Sequence, residues 1–147
     1  MELADLVTLV NEWGTLPCQV DGRAPRPGPG LTTLADELHP VFATTDPATR
    51  AALITDLLRT TGVRPELADD LTEAWTVDDP AQAPRAAAAL ALRRHPDRLG
   101  VCADDQCADV WVDTSPAGKR RYCCLTCQNR ARAATFRRRR AHSRDAR

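Results

Sequence analysis

The sequence predicts a mainly α chain that ends in a small module built on cysteines. Two observations carry this. Helix signals recur in four stretches before residue 96, each closed by proline or glycine. Near the C-terminus, Cys102, Cys107, Cys123 and Cys127 fall in two close pairs, C-x4-C and C-x3-C, with 15 residues between the pairs. Aromatic residues make up only 4% of the 147 residues, so any sizeable core rests on Leu, Val and Ala. The length suits one ordinary domain, or a small one with a mini-module attached.

The first helix is expected over 2–13, where Leu3, Leu6, Val7, Val10 and Trp13 share one face. Residues 14–30 hold four Pro and four Gly in 17 positions, which predicts a loop without regular structure. A short helix at about 32–39 is expected to stop at Pro40. The clearest helix lies in TTDPATRAALITDLLRTTG: Thr45 or Asp46 caps it, Pro47 suits its first turn and Gly62 its end. Its apolar face is Ala51, Ile54, Leu57 and Leu58. Residues 65–79 leave a short strand and a helix in competition, with Leu71, Trp75 and Val77 on one side. The Ala-rich stretch from about 79–84 to His95 favours a helix intrinsically. Trp13 and Trp75 are expected in the core of this N-terminal part, residues 1–97.

The cysteine spacing has a direct chemical meaning. Each short loop folds back and points two sulfurs at one centre, as a tetrahedral zinc ion requires. Val110–Val112 and Arg121–Tyr122 are expected to form two short strands about a turn at 115–118, followed by a basic helix from about Thr126 to Arg140. Knuckle, hairpin and ligand-bearing helix, in that order, make a treble-clef-like module over 98–147. So few residues cannot bury enough apolar surface to fold unaided. A structural zinc supplies about 10–16 kcal/mol. The module is therefore expected to fold as a separate, metal-dependent unit holding one Zn2+ per chain. The N-terminus, MELAD, has no basic leader pattern, which predicts a cytoplasmic protein, where cysteine clusters are more often metal sites than disulfides. Four thiolates leave no open position for a catalytic water, and no GxSxG, HExxH or phosphate-binding Gly-rich loop is present, so no enzyme is expected.

Net charge is zero, yet the charge is sharply divided. Residues 118–147 carry eleven Lys or Arg against one acid, net +10; residues 1–117 carry nine against nineteen, net −10. Such asymmetry marks an acidic body and a basic arm for a polyanion. Arg130, Arg132, Arg137, Arg138, Arg139 and Arg140 are the candidate nucleic-acid contacts, because guanidinium groups match phosphate oxygens bidentately and also read guanine edges. Duplex DNA is the expected partner; RNA or an acidic protein would be drawn by the same charge.

The segments C-x4-C, VWVDTS, GKRRYC and CQNRAR resemble the CGNR-type zinc finger of bacterial proteins. Those proteins carry an N-terminal ABATE domain and are regarded as stress-induced transcription regulators. The resemblance covers about residues 98–140; in the N-terminal part it rests mainly on LVNEW. It implies an ABATE-like sensing or oligomerising domain over 1–97 and a zinc-dependent DNA-binding transcription regulator. This chain reads CQNR (Cys127–Arg130) where the family tends to read CGNR, and Tyr122-Cys123-Cys124 where the family often has Trp-Cys-Ser. The resemblance makes Cys123 the ligand; spacing alone also allows Cys124, through C-x2-C with Cys127. If spare, Cys124 is either a tolerated small residue or an exchangeable thiol beside the metal. Asp113 and Ser115 are structural supports, in one of two ways: they close a local turn, or Asp113 pairs with Arg130. Cys18 has no paired cysteine nearby and is read as incidental.

Overall fold

The computed structural model describes the backbone of residues 1–145 and side chains through Ala141. The side chains of Arg144 and Asp145, and Arg147 altogether, lie outside the described residues. Among the described residues there are six α-helices and two small antiparallel hairpins, in the order α1 (Leu3–Trp13), α2 (Thr15–Val20), α3 (Leu31–Ala43), α4 (Pro47–Thr61), β1 (Arg64–Leu67), β2 (Glu73–Thr76), α5 (Ala83–Leu92), β3 (Leu99–Val101), β4 (Val110–Val112) and α6 (Leu125–Asp145). Among the described residues no helix is long and apolar enough to cross a membrane.

α1 follows its apolar periodicity and buries Leu6 and Val10 completely. It ends at Gly14, where a β-carbon would sit 2.4 Å from the Val10 carbonyl oxygen, so the bend into the next helix needs glycine. The expected loop then departs from the sequence reading. Thr15–Val20 is helical. Pro17 lies in the first turn, where a backbone N–H has no helical partner to lose. The Thr15 amide and hydroxyl both donate to the Asp36 carboxylate of α3, at 2.6 and 2.7 Å.

Pro40 does not stop α3 either; the helix runs on to Ala43. An interior proline costs about 3 kcal/mol. Continuing the helix buries Val41 and Phe42, 0% and 1% exposed, and burial stabilises by about 1.5–3 kcal/mol for each such side chain. Tertiary burial therefore wins over local propensity. α4 matches its signals: the Asp46 carboxylate accepts from the Thr49 amide at 2.8 Å, and Gly62 closes the helix at φ 65°. Of its expected apolar face Ile54 and Leu57 are buried, whereas Ala51 is exposed and Leu58 half-buried. Arg50 was not anticipated inside. It is buried and donates to the carbonyls of Val41 (3.0 Å), Thr44 and Pro96 (2.6 Å), placing its charge where the α3 dipole is negative.

The ambiguous segment forms a hairpin, with Arg64 opposite Thr76 and Leu67 opposite Glu73. It is largely exposed, and Leu71 sits in its turn at φ 64°, away from the core. Trp13 and Trp75 are half-buried and outside the core cluster; the guanidinium groups of Arg26 and Arg93 lie over their rings at 5.4 and 4.8 Å. α5 buries Ala86, Ala88, Ala89, Ala91 and Leu92.

The second hairpin also differs from expectation. β4 pairs upstream with β3, Leu99 opposite Val112 and Val101 opposite Val110, and residues 121–122 form no strand. The indole of Trp111 lies flat on Gly100, where a β-carbon would meet it at 2.3 Å, so a bare backbone on β3 is what admits this strand pair. Leu99 and Val110 belong to one core cluster with Leu6, Val10, Leu38, Phe42 and Leu92. Asn11 of α1 reads both backbone groups of Val110: its Oδ1 accepts from the amide at 2.7 Å and its Nδ2 donates to the carbonyl at 3.1 Å. The start of the cysteine module thus packs into the helical core, and position 97 marks no gap in packing.

Leucine at position 11 would leave two backbone polar groups unpaired. We expect Asn11→Leu to destabilise the chain by about 1–3 kcal/mol in urea unfolding. The loss should appear in probes on both sides of residue 97.

Candidate metal centre and basic helix

β3 and β4 deliver the first two sulfurs. They run into and out of the loop 102–109, and the Cys102 amide donates to the Asp109 carbonyl at 2.8 Å, closing it. The Cys107 amide donates to the Asp104 carbonyl at 3.0 Å, turning the second sulfur back toward the first. The other two sulfurs flank the start of α6: Cys123 lies just before it and Cys127 in its first turn. The ligand atoms of Cys102, Cys107, Cys123 and Cys127 all lie within 4.8 Å of one another. Cys107 and Cys123 are 3.7 Å apart at sulfur, Cys123 and Cys127 3.5 Å. A tetrahedron with Zn–S bonds of about 2.3 Å places its sulfurs roughly 3.8 Å apart. The spacing fits a shared ion and is far from a disulfide at about 2.0 Å. All six cysteines are free thiols. The structure gathers Cys123, and not Cys124, with the other three; Cys124 is exposed, its sulfur 3.6 Å from that of Cys127.

The electrostatics also call for a cation. Burial pushes the Cys107 and Cys123 thiols up, and burial pushes Cys127 up to about 12. Neighbouring sulfurs that cannot all ionise side by side add to the rise at Cys123. A dication reverses this, since a coordinated thiol is deprotonated outright. Cys124 is shifted the other way, down, chiefly by the Cys127 amide.

Arg130 is the main correction to the sequence reading. Its Nε donates to Asp104 Oδ2 at 2.5 Å and its Nη2 to Cys127 Sγ at 3.3 Å. The Asp104 side chain is fully buried. Burial works to raise its carboxyl, but the Gln106 amide and the Arg130 guanidinium more than offset that and hold it low. Arg130 therefore ties α6 to the first knuckle across the metal centre. Its partner is Asp104, not Asp113, because Asp113 is already saturated: Oδ1 accepts from the Ser115 amide (2.9 Å) and hydroxyl (2.6 Å), and Oδ2 from the Arg120 amide (2.8 Å). Led by the Ser115 hydroxyl, these bonds hold the Asp113 carboxyl at about 2. The bonded form is the ionised one, so this support is complete above about pH 4 and is lost as pH falls through about 2. Asp113 and Ser115 act as the local turn, which Gly118 at φ 60° completes.

Two further supports escaped sequence reading. His39 of α3 is buried and donates through Nε2 to the Ala108 carbonyl at 3.1 Å, inside the knuckle. Arg120 donates to the carbonyls of Tyr122 (3.0 Å), Val112 (3.1 Å) and Cys123, pinning the approach to the third ligand. A lone histidine before a proline and one arginine among three basic residues gave no signal of either role. Cys18 is buried, its thiol 3.5 Å from the Glu12 carbonyl, and takes no part in the centre.

Beyond Arg130 the helix turns outward. Arg132 and Arg137–Arg140 are exposed, as is Phe136, with Arg140 over its ring at 5.7 Å. A cationic run toward a helix C-terminus also suits the helix dipole.

Residues 98–140 match the family model of the CGNR zinc finger. No curated protein matches the chain. The match and the cysteine cluster agree on a zinc-binding module whose four cysteines can bind one zinc ion. The glycine of the family name is not needed for backbone shape, since Gln128 lies within α6 and takes no positive φ.

Zinc content should therefore fall in Cys102→Ser, Cys107→Ser, Cys123→Ser and Cys127→Ser, and stay at one per chain in Cys124→Ser, by metal analysis of the purified variants. Zinc uptake near pH 7 should release about three or more protons per ion, countable with a pH indicator, because the raised thiols start protonated. Apparent affinity should accordingly fall as pH falls.

Proposed function

We propose that this chain is a zinc-dependent DNA-binding protein acting as a transcription regulator. One observation carries the reading: the helix that provides Cys127 continues away from the metal centre bearing five exposed arginines, Arg132 and Arg137–Arg140. The zinc centre fixes where this helix starts, through Cys127 and the Arg130–Asp104 pair, and the arginines meet phosphates. Arg137–Arg140 surround the helix and are assigned to the backbone. Arg132 lies nearer the rigid end and is assigned to a base edge. Arg130 is assigned to support, since both its hydrogen-bonding ends are engaged.

The loop 102–107, the short hairpin and the ligand-bearing helix are assigned to the treble-clef class. Residues 1–97 are assigned an ABATE-like sensing or oligomerising role, and residues 98–147 the zinc finger with its basic helix and tail. The protein is read as cytoplasmic and non-enzymatic, because four thiolates leave no coordination position for substrate.

Affinity of zinc-loaded protein for duplex DNA should fall linearly on a log–log plot against salt, with a slope of about −0.9 per neutralised phosphate. Replacing Arg137–Arg140 by Ala should weaken binding to all sequences alike and flatten the slope by about 3–4. Arg132→Ala should relax preference at one base pair by about 1–3 kcal/mol. Salt-independent binding, or tighter binding of single-stranded RNA or an acidic polypeptide at matched ionic strength, would displace the DNA reading.

A further inference from the structure

A fifth sulfur lies beside the four that form the metal centre. Cys124 stands outside the tetrahedral set, exposed to solvent, with its sulfur 3.6 Å from that of Cys127. We propose that Cys124 and Cys127 form an oxidation site: a peroxide joins them in a disulfide and the metal is released. The proposal rests on the four-cysteine zinc assignment and is independent of what the arginines bind.

The geometry separates this pair from the others. A disulfide has sulfurs about 2.05 Å apart, so the pair must close by roughly 1.5 Å, within reach of a rotation at the exposed Cys124. The pairs Cys107–Cys123 and Cys123–Cys127 are equally near, at 3.7 and 3.5 Å. Each of those sulfurs belongs to the four-cysteine set that would hold the ion, whereas Cys124 is the exposed thiol that an oxidant would meet without displacing metal. Cys18, the remaining cysteine, is 0% exposed. Cys124 and Cys127 also bracket the start of α6 as C-x-x-C, the spacing of redox dithiols.

The chemistry balances with hydrogen peroxide as oxidant. The Cys124 thiolate attacks one peroxide oxygen, the O–O bond breaks, and a sulfenic acid and hydroxide form. The Cys127 thiolate then attacks the Cys124 sulfur and expels a second hydroxide, each hydroxide being protonated to water. Two sulfurs lose two electrons in total and the two peroxide oxygens gain them. Arg130, 3.3 Å from Cys127 Sγ, holds a cation beside that sulfur as its charge leaves the metal. Three thiolates remain, and the first turn of α6 is no longer pinned to the centre.

The test uses full-length zinc-loaded protein and its Cys124→Ser variant. Zinc content before oxidant reads the metal assignment; zinc release into a chromogenic chelator after hydrogen peroxide reads the proposal. Wild type should release its zinc about ten-fold faster than Cys124→Ser, and a dithiol reductant should restore binding. Cys123, Cys124 and Cys127 lie on one tryptic peptide, Tyr122–Arg130. Fragmentation after alkylation should find Cys123 labelled and Cys124 and Cys127 joined. Equal release rates in the two proteins, a disulfide confined to the four ligands, or a Cys124→Ser protein that binds no zinc would each overturn the proposal.

Discussion

Four thiols held 3.5–3.7 Å apart along two of their contacts cannot share that space as anions without a cation among them. The cysteine loop, the segment 113–124 and the start of α6 depend on that constraint. The loop 102–109 has no apolar core of its own; Cys102 is its deepest sulfur and Asp104 its buried acid. The segment 113–124 has no regular structure and is held by Asp113, by Arg120 and by its own third ligand. The metal therefore does for these residues what hydrophobic burial does for the helices. Zinc binding is worth about 10–16 kcal/mol, against the few kcal/mol that a core this small supplies.

The two sources of stability are joined at a seam. Leu99 and Val110 are core residues on the strands that feed the metal loop. Asn11 fixes the backbone of Val110, and His39 reaches the carbonyl of Ala108, one residue beyond a ligand. α1 and α3 are thus linked by two short hydrogen-bonded connections to the backbone at Val110 and Ala108, next to the cysteine loop. If residues 1–97 respond to a signal, this is the physical route by which the cysteine loop would feel it. The route is local packing, with no long chain of intermediates.

Much of this was legible in the sequence where the signal is chemical. Spacing marked two cysteine pairs but left Cys123 and Cys124 both open until the resemblance chose Cys123, and α1 and α4 could be placed by periodicity and caps. The failures fall where tertiary burial overrides local rules. Pro17 and Pro40 sit inside helices because one occupies a first turn and the other lies just ahead of two deeply buried residues. Trp111 pairs with β3 because Gly100 clears room for its ring, which no propensity reveals. Sequence left Asp113 open between a local turn and a pair with Arg130; its bonds to the Ser115 and Arg120 amides make it the turn, and Arg130 takes Asp104, which nothing in CADDQC singles out. Polar groups that act through long-range contacts, as Asn11, His39 and Arg120 do, leave no periodic trace.

The length of α6 turns the metal centre into a pivot. Its 21 residues, Leu125–Asp145, make a rod of about 30 Å, anchored near one end by Cys127 and Arg130. A rod of that length magnifies angle into displacement: a 10° error at the anchor moves the far end by about 5 Å, more than the 3.4 Å rise of one base step. Two ligands flanking the helix start and the Arg130–Asp104 brace together resist such tilting about more than one axis. A single ligand would hold the helix in place without aiming it. The demand for four attachment atoms around one ion is then a demand for angular accuracy, set by the reach of the arm and not by the strength with which zinc is held.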